Sequence, residues 1–406
     1  MKRFVDTLVK ESIDFCLPDK AVAREIKNLP EVKGKKILIA IGKAGYQMAK
    51  AAIDSGFVCH KGLVITKYGH SKGDLENIEI IEAGHPISDE NTIRASQYAY
   101  DMTESLSEDD LVLMLISGGG SALFELPLIN LEEIQDINDQ LLKKGANIVE
   151  INTIRKRLSK VKGGRFANHI RPARVYNIIL SDVLGNRPDM IASGPTYVDY
   201  STSKEAQKLI DLYDLDLSTK AKSLVKEETI KDLSNTQTKI SGSVDDLCKK
   251  AGEILEKEGY DVDILTSTLA CEAREAGFFL AAIAKSQSKR KDKKAYIFGG
   301  ETLVHLRGPG KGGRNQELAF ASMRDIDGLE NVRIISFSSD GSDGPTDAAG
   351  GFVDGKSFDK LKEKNLDYNH ILASNNTYEG LKAIDQLIIT GPTGTNVNDV
   401  SILLIN

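Results

Sequence analysis

Between Leu111 and Gly120 the chain passes from six consecutive apolar residues, Leu-Val-Leu-Met-Leu-Ile, through Ser117 into three consecutive glycines. An apolar run with no alternation cannot leave one face in water. It therefore predicts a strand buried on both sides, as in a parallel sheet covered by helices. Gly118, Gly119 and Gly120 remove the side chains that would keep an anion away from the backbone. Ser121 and Ala122-Leu123-Phe124 can then begin a helix whose first free N–H groups point into the turn, the arrangement that binds phosphate. The competing reading is a tight strand-to-helix turn with no ligand.

A chain of 406 residues is too long for one ordinary core, so two domains are expected. The formal charge of 53 − 59 = −6 makes nucleic acid or an anionic membrane an unsuitable main partner. Small anionic substrates need only a local cluster of cations. Cys16, Cys59, Cys248 and Cys271 are scattered, with no C-x-x-C pair to suggest zinc or a disulfide framework. The N-terminus lacks a signal-type apolar core, and no window approaches the roughly 20 apolar residues of a spanning helix, so a cytoplasmic, soluble protein is expected.

Residues 1–30 place Phe4, Leu8, Val9, Ile13, Cys16 and Leu17 at helical spacing, with a break at Pro18 and a resumption over 21–29. Then Ile37-Leu38-Ile39-Ala40-Ile41, a buried-strand pattern, runs into Gly42-Lys43-Ala44-Gly45 and an Ala- and Met-rich helix. Lys43 thus stands where the carboxyl end of a strand opens onto the crevice in which α/β proteins bind ligands, unless it is merely a solvated loop residue. Further strands are expected at 63–66, 78–82, 175–180, 262–265, 296–298, 334–337, 387–390 and 400–405, with helices between most of them. The alternation specifies an α/β fold. Residues 200–237, polar and lysine-rich, read as helical cover without strands that leads to a domain junction near 230–240. The expected domains are 1–235 and 236–406, and the final strand could pack back on the first. Six cations between 151 and 165 (Arg155, Lys156, Arg157, Lys160, Lys162, Arg165) read mainly as a solvated helix face, with one or two available to an anion.

In the second half, Gly308, Gly310 and Gly313 match the dinucleotide spacing G-x-G-x-x-G after a candidate strand at 303–306, while Lys311 and Arg314 suit a triphosphate equally well. His305 reads as a packed strand residue. Asp340, Asp343 and Asp347, interleaved with glycine, could supply the one or two carboxylates that Mg²⁺ requires, or could serve as turn and helix caps.

Taken together, Gly42-Lys43-Ala44, Gly84-His85-Pro86, Ser117-Gly118-Gly119-Gly120-Ser121, Asn152-Thr153-Ile154-Arg155-Lys156, Ser181-Asp182-Val183-Leu184-Gly185, Ile191-Ala192-Ser193-Gly194-Pro195-Thr196, Gly299-Gly300-Glu301-Thr302, Gly312-Gly313-Arg314-Asn315-Gln316-Glu317 and Asp340-Gly341-Ser342-Asp343-Gly344-Pro345-Thr346-Asp347 closely resemble the glycerate 2-kinases of the MOFRL class. The blocks span nearly the whole chain in matching order. The resemblance implies a Rossmann-like N-terminal domain, a smaller α/β MOFRL domain, an active site in the interdomain cleft, and transfer of a phosphoryl group from ATP to D-glycerate.

Phosphoryl transfer is largely positioning and charge stabilisation, and candidates for each part are present. Ser117, Gly118, Gly119, Gly120 and Ser121, with Lys311 and Asn315, would bind the nucleotide. Lys43 and Arg314 would place positive charge on the glycerate carboxylate or the γ-phosphoryl group. Asp182 is the first choice for the general base or for a carboxylate orienting Mg²⁺. Glu301, Asp340 and Asp343 remain for polar substrate contacts, with Asp340 a second metal candidate. A homodimer is left open. Two other classes compete: an NAD-dependent hydroxy-acid (hydroxypyruvate) reductase using Gly308–Gly313, and a non-catalytic nucleotide or sugar-acid sensor.

Overall fold

The computed structural model describes residues 2–185 and 187–406. The chain forms two units, one from Pro18 to Ser241 and one from the N-terminal helix Lys2–Phe15 together with Gly242–Asn406.

The first unit is built on strands β1 (Lys36–Ile41), β2 (Lys61–Lys67), β3 (Ile78–Ala83), β4 (Leu111–Ile116), β5 (Arg174–Ile179) and β6 (Thr236–Ile240). They form one sheet in the order β3-β2-β1-β4-β5-β6 with every pairing parallel. This is the doubly wound order, and it explains the unbroken apolar runs. Ile39, Ile41, Met114 and Ile116 enter the core on one face of the sheet, while Leu38, Ala40, Leu113 and Leu115 enter the core on the other.

The second unit has β7 (Asp261–Leu269), β8 (Lys294–Gly300), β9 (Val332–Ser338), β10 (Gly350–Asp354), β11 (Leu387–Ile388) and β12 (Asp399–Ile405), in the order β11-β10-β9-β12-β8-β7. Here β7 and β8 are parallel, and β12 runs antiparallel to both of its neighbours. The last strand is therefore central to the second sheet. The Lys2–Phe15 helix buries Val5, Leu8, Val9 and Ile13, and Thr395 Oγ1 donates to the Cys16 carbonyl at 3.1 Å within the same unit.

The division falls at 241/242, one strand later than the expected 235/236, because β6 pairs with β5. That strand, Thr-Gln-Thr-Lys-Ile, lies half-exposed at a sheet edge and has too few apolar residues to announce itself. The strand β10 was also unanticipated, since it opens with two glycines. The helical cover expected between 200 and 237 is supplied by the helices Ser203–Leu212 and Thr219–Val225. No described helix is long and apolar enough to cross a membrane.

Candidate active site

In the first unit the strand order reverses between β1 and β4, whose last residues, Ile41 and Ile116, lie side by side. A reversal of this kind opens a crevice at the carboxyl edge of the sheet. The turns that follow are tied together. Lys43 N donates to the Gly118 carbonyl at 2.9 Å, and Ala44 N donates to Ser117 Oγ at 3.1 Å. Gly119 adopts φ +87°, a conformation that disfavours any side chain. Gly118 has no room for a Cβ because the Asp182 carboxylate, arriving after β5, lies against it. Lys43, residues 117–121 and Asp182 thus converge from three strand ends. The Lys43 side chain is exposed, and its ammonium has no ion pair or hydrogen bond among the described residues.

The helix expected after the glycines is a single turn, Gly120–Leu123, supported from beneath. Lys162 Nζ donates to the Ser121 and Phe124 carbonyls, both at 2.8 Å. Ser121 Oγ lies 3.1 Å from Ser193 Oγ, which donates to Asn152 Oδ1 at 2.8 Å. Ala192 and Ser193 both have positive φ, 51° and 62°, so this supporting turn is held in a conformation that non-glycine residues seldom adopt. The cation-rich segment is correspondingly not a solvated face, since Lys156, Arg157 and Lys162 are all fully buried. Lys156 pairs with Asp199 at 3.1 Å, and burial lowers the Lys162 ammonium to about 8 despite Glu125 nearby.

His85 received no role from the sequence, yet its ring lies beside Gly119 and the Lys43 stem. Its burial, together with the Lys43, Lys67 and His70 charges, lowers its pKa and keeps it neutral near pH 7. The advance signals were its position just after β3 and its place in the Gly84-His85-Pro86 block.

The second unit arranges its candidates differently. Arg314 opens the helix Arg314–Ser322 and meets Asp399 through two bonds, Nε to Oδ2 at 2.5 Å and NH2 to Oδ1 at 3.0 Å, while NH1 lies 3.1 Å from Glu301. Burial opposes the arginine's charge, but the Asp399 hydrogen bond and the two carboxylate charges outweigh it and raise the pKa. Asp399 escaped sequence reading because it stands at the head of an apolar strand.

Asp343, expected to contact substrate, is instead buried at the start of that helix. It accepts from Asn315 N at 3.1 Å, Gln316 N at 2.8 Å and Gln316 Nε2 at 3.0 Å. Burial pushes its carboxyl up to about 6 against the pull of these donors. Asn315, expected at the nucleotide, is also internal, with its Oδ1 accepting from Ser336 Oγ at 2.6 Å. The exposed Lys311 ammonium lies 4.5 Å above the Tyr378 ring.

Asp340 follows β9, and its Oδ1 accepts from Ser338 Oγ and from Ser342 N and Oγ, at 2.9, 2.8 and 3.1 Å. Asp347 accepts from Tyr378 at 2.7 Å. Residues 303–306 form no strand, and His305 is exposed, 3.2 Å from Glu272. Gly308 and Gly310 approach the backbone of residues 374–376 too closely for a Cβ, so these glycines serve chain packing and not a dinucleotide turn.

Residues 4–226 match a domain of unknown function, DUF4147, and residues 294–399 match the MOFRL family. D-glycerate 2-kinase of Thermotoga maritima is 49% identical, with 100% of this chain and 98% of the relative covered. The chain belongs to the glycerate 2-kinase family. Glycerate 2-kinase of Pyrococcus horikoshii is 41% identical over 98% of this chain and 96% of the relative. The crystal structure of glycerate kinase from Thermotoga maritima aligns with a TM-score of 0.93 at 48% identity, covering 100% of this chain and 99% of that one. Membership of that family extends over both units, and so over the Lys43 crevice as well as the Arg314 cluster.

Proposed function

We propose that this chain transfers the γ-phosphoryl group of ATP to the 2-hydroxyl of D-glycerate, in the cytoplasm and with Mg²⁺, to give 2-phospho-D-glycerate and ADP. The observation that carries this reading is the full-length likeness to relatives named glycerate 2-kinase. In the reaction the glycerate oxygen forms a bond to the γ-phosphorus, the bond from that phosphorus to the β-phosphate oxygen breaks, and the hydroxyl proton passes to a base.

The side chains give each requirement a candidate. The 117–121 turn offers backbone N–H groups where side chains are absent. Lys43 carries a positive charge that pairs with no carboxylate among the described residues, available to the glycerate carboxylate or the migrating phosphoryl group. Asp182 beside Gly118 is placed to accept the hydroxyl proton or to orient the metal. Arg314, fixed by Asp399, presents a charge of set direction next to Glu301.

Among the described residues no group of three or more His, Cys, Asp or Glu forms a metal cage. Mg²⁺ in phosphoryl transfer takes only one or two carboxylates, with phosphate and water completing its shell. Asp340 fits that demand, because its three hydrogen bonds all fall on Oδ1. Asp340 would be one carboxylate ligand of the ion, which would supply charge neutralisation on the phosphate oxygens.

The reductase alternative is weaker, because no strand precedes Gly308–Gly313 and its glycines abut protein backbone. Phosphorus NMR after incubation with ATP, Mg²⁺ and D-glycerate should show 2-phosphoglycerate accumulating as ADP forms. Absence of that product, or NADH formation from NAD and glycerate, would overturn the reading.

A further inference from the structure

We infer that the cavity of about 580 Å³ in the second unit, between the 303–313 loop and Pro345, is the binding site for the nucleoside half of the nucleotide. The inference rests on the phosphoryl-transfer reading and names the place of its larger substrate.

Size is the first argument. Ligand pockets of several hundred Å³ take molecules of nucleotide dimensions, whereas a three-carbon acid would leave most of this volume to water. The lining gives the second. The wall combines apolar Leu303, Leu306, Pro309 and Pro345 with the charged Glu301 and Arg314. A purine nucleoside has the same mixed character, with a flat ring that gains from apolar walls and a ribose whose hydroxyls can donate to a carboxylate.

The leucines of the wall are also held open to solvent. Leu306 is 82% exposed and Leu303 48% exposed, both on a loop that does not collapse over them. Asn375 fixes that loop, its Oδ1 accepting from Arg307 N at 2.6 Å and Gly308 N at 3.2 Å while its Nδ2 donates to the buried Glu317 at 2.9 Å. Gly310 N adds a bond to the Ser374 carbonyl at 2.9 Å, and Lys311 N one to Asn376 Oδ1 at 3.0 Å. Exposed leucines on a fastened backbone form a preorganised apolar surface, which lowers the ordering cost of binding.

The test uses the whole chain and compares L306E with F279E. Phe279 is another exposed apolar residue of the same unit, 59% exposed and outside the cavity. Neither substitution disturbs a buried side chain. For L306E, the dissociation constant of ADP by isothermal titration calorimetry and KM for ATP should both rise about tenfold or more, with KM for glycerate within about twofold of wild type. F279E should leave all three constants unchanged. A wild type that does not bind ADP, an ADP affinity in L306E within about twofold of wild type, or an equal loss in F279E would each overturn the pocket assignment. If wild type binds ADP but transfers no phosphoryl group to glycerate, the kinase reading fails, and the titration of L306E alone still decides the pocket.

Discussion

At the strand ends of the Pro18–Ser241 unit, Lys43 stands at the crevice with no ion pair or hydrogen bond to its ammonium among the described residues, while the cations that support the glycine turn lie buried. In the Gly242–Asn406 unit residues of the same chemical types are committed to one another, Arg314 to Asp399 and Glu301, and Asp343 to the start of a helix. Both units present glycine-rich, charged turns after apolar strands, so the sequence pattern alone does not separate them. The difference is one of satisfaction. A charge without a partner is available to a ligand, whereas the buried Asp343 carboxylate, which accepts from Asn315 N, Gln316 N and Gln316 Nε2, serves the fold.

The largest expected effect breaks the chemistry and spares the structure. Asp182→Asn keeps the shape and much of the hydrogen bonding but loses the negative charge, and kcat should fall by roughly 10²–10⁴. Glycerate affinity should change much less. Wild-type kcat, or a fall in activity matched by a fall in thermal stability, would make Asp182 a turn cap.

The reverse pattern is expected in the other unit. Asp343→Asn turns an amide toward the Gln316 donors and leaves buried N–H groups without an acceptor, costing about 2 kcal/mol of stability. A lowered urea midpoint with an unchanged slope would confirm this. A variant as stable as wild type but altered only in KM would return Asp343 to a substrate role.

The smallest effect concerns the support of the glycine turn. The folded-state pKa of Lys162, about 8, lies below the ordinary lysine value of 10.5, so between those pH values the unfolded chain binds more protons and stability rises with pH. Between pH 8 and 9.5 this contribution should grow by about 1.5 kcal/mol in wild type relative to Lys162→Met, measured by chemical unfolding at each pH. Equal pH slopes would show that the Lys162 ammonium titrates as it does in water.

The parallel sheet was legible because burial on both faces forces continuous apolar runs, and the turns at its carboxyl edge were legible because each follows such a run. Lys43 and Asp182 could be named because each directly follows a strand end. Less was legible where the signal is tertiary. Lys156, Arg157 and Lys162 look like a solvated face until Asp199, Glu125 and the turn carbonyls are brought to them. Asp343 resembles a ligand carboxylate until the helix that it caps is in place, and Asp399 is hidden by the apolar strand that it heads. The glycines at 308 and 310 imitate a dinucleotide turn because close backbone packing and phosphate binding both demand the absence of a side chain.

The central claim is that the Lys43 charge acts on the ligand and contributes nothing to the fold, and one variant tests it on a single preparation. Lys43→Met keeps the apolar stem and removes the ammonium. Glycerate phosphorylation should fall by about two orders of magnitude or more while Tm stays within about 2 °C of wild type. Turnover close to wild type, or a parallel loss of Tm, would contradict the account.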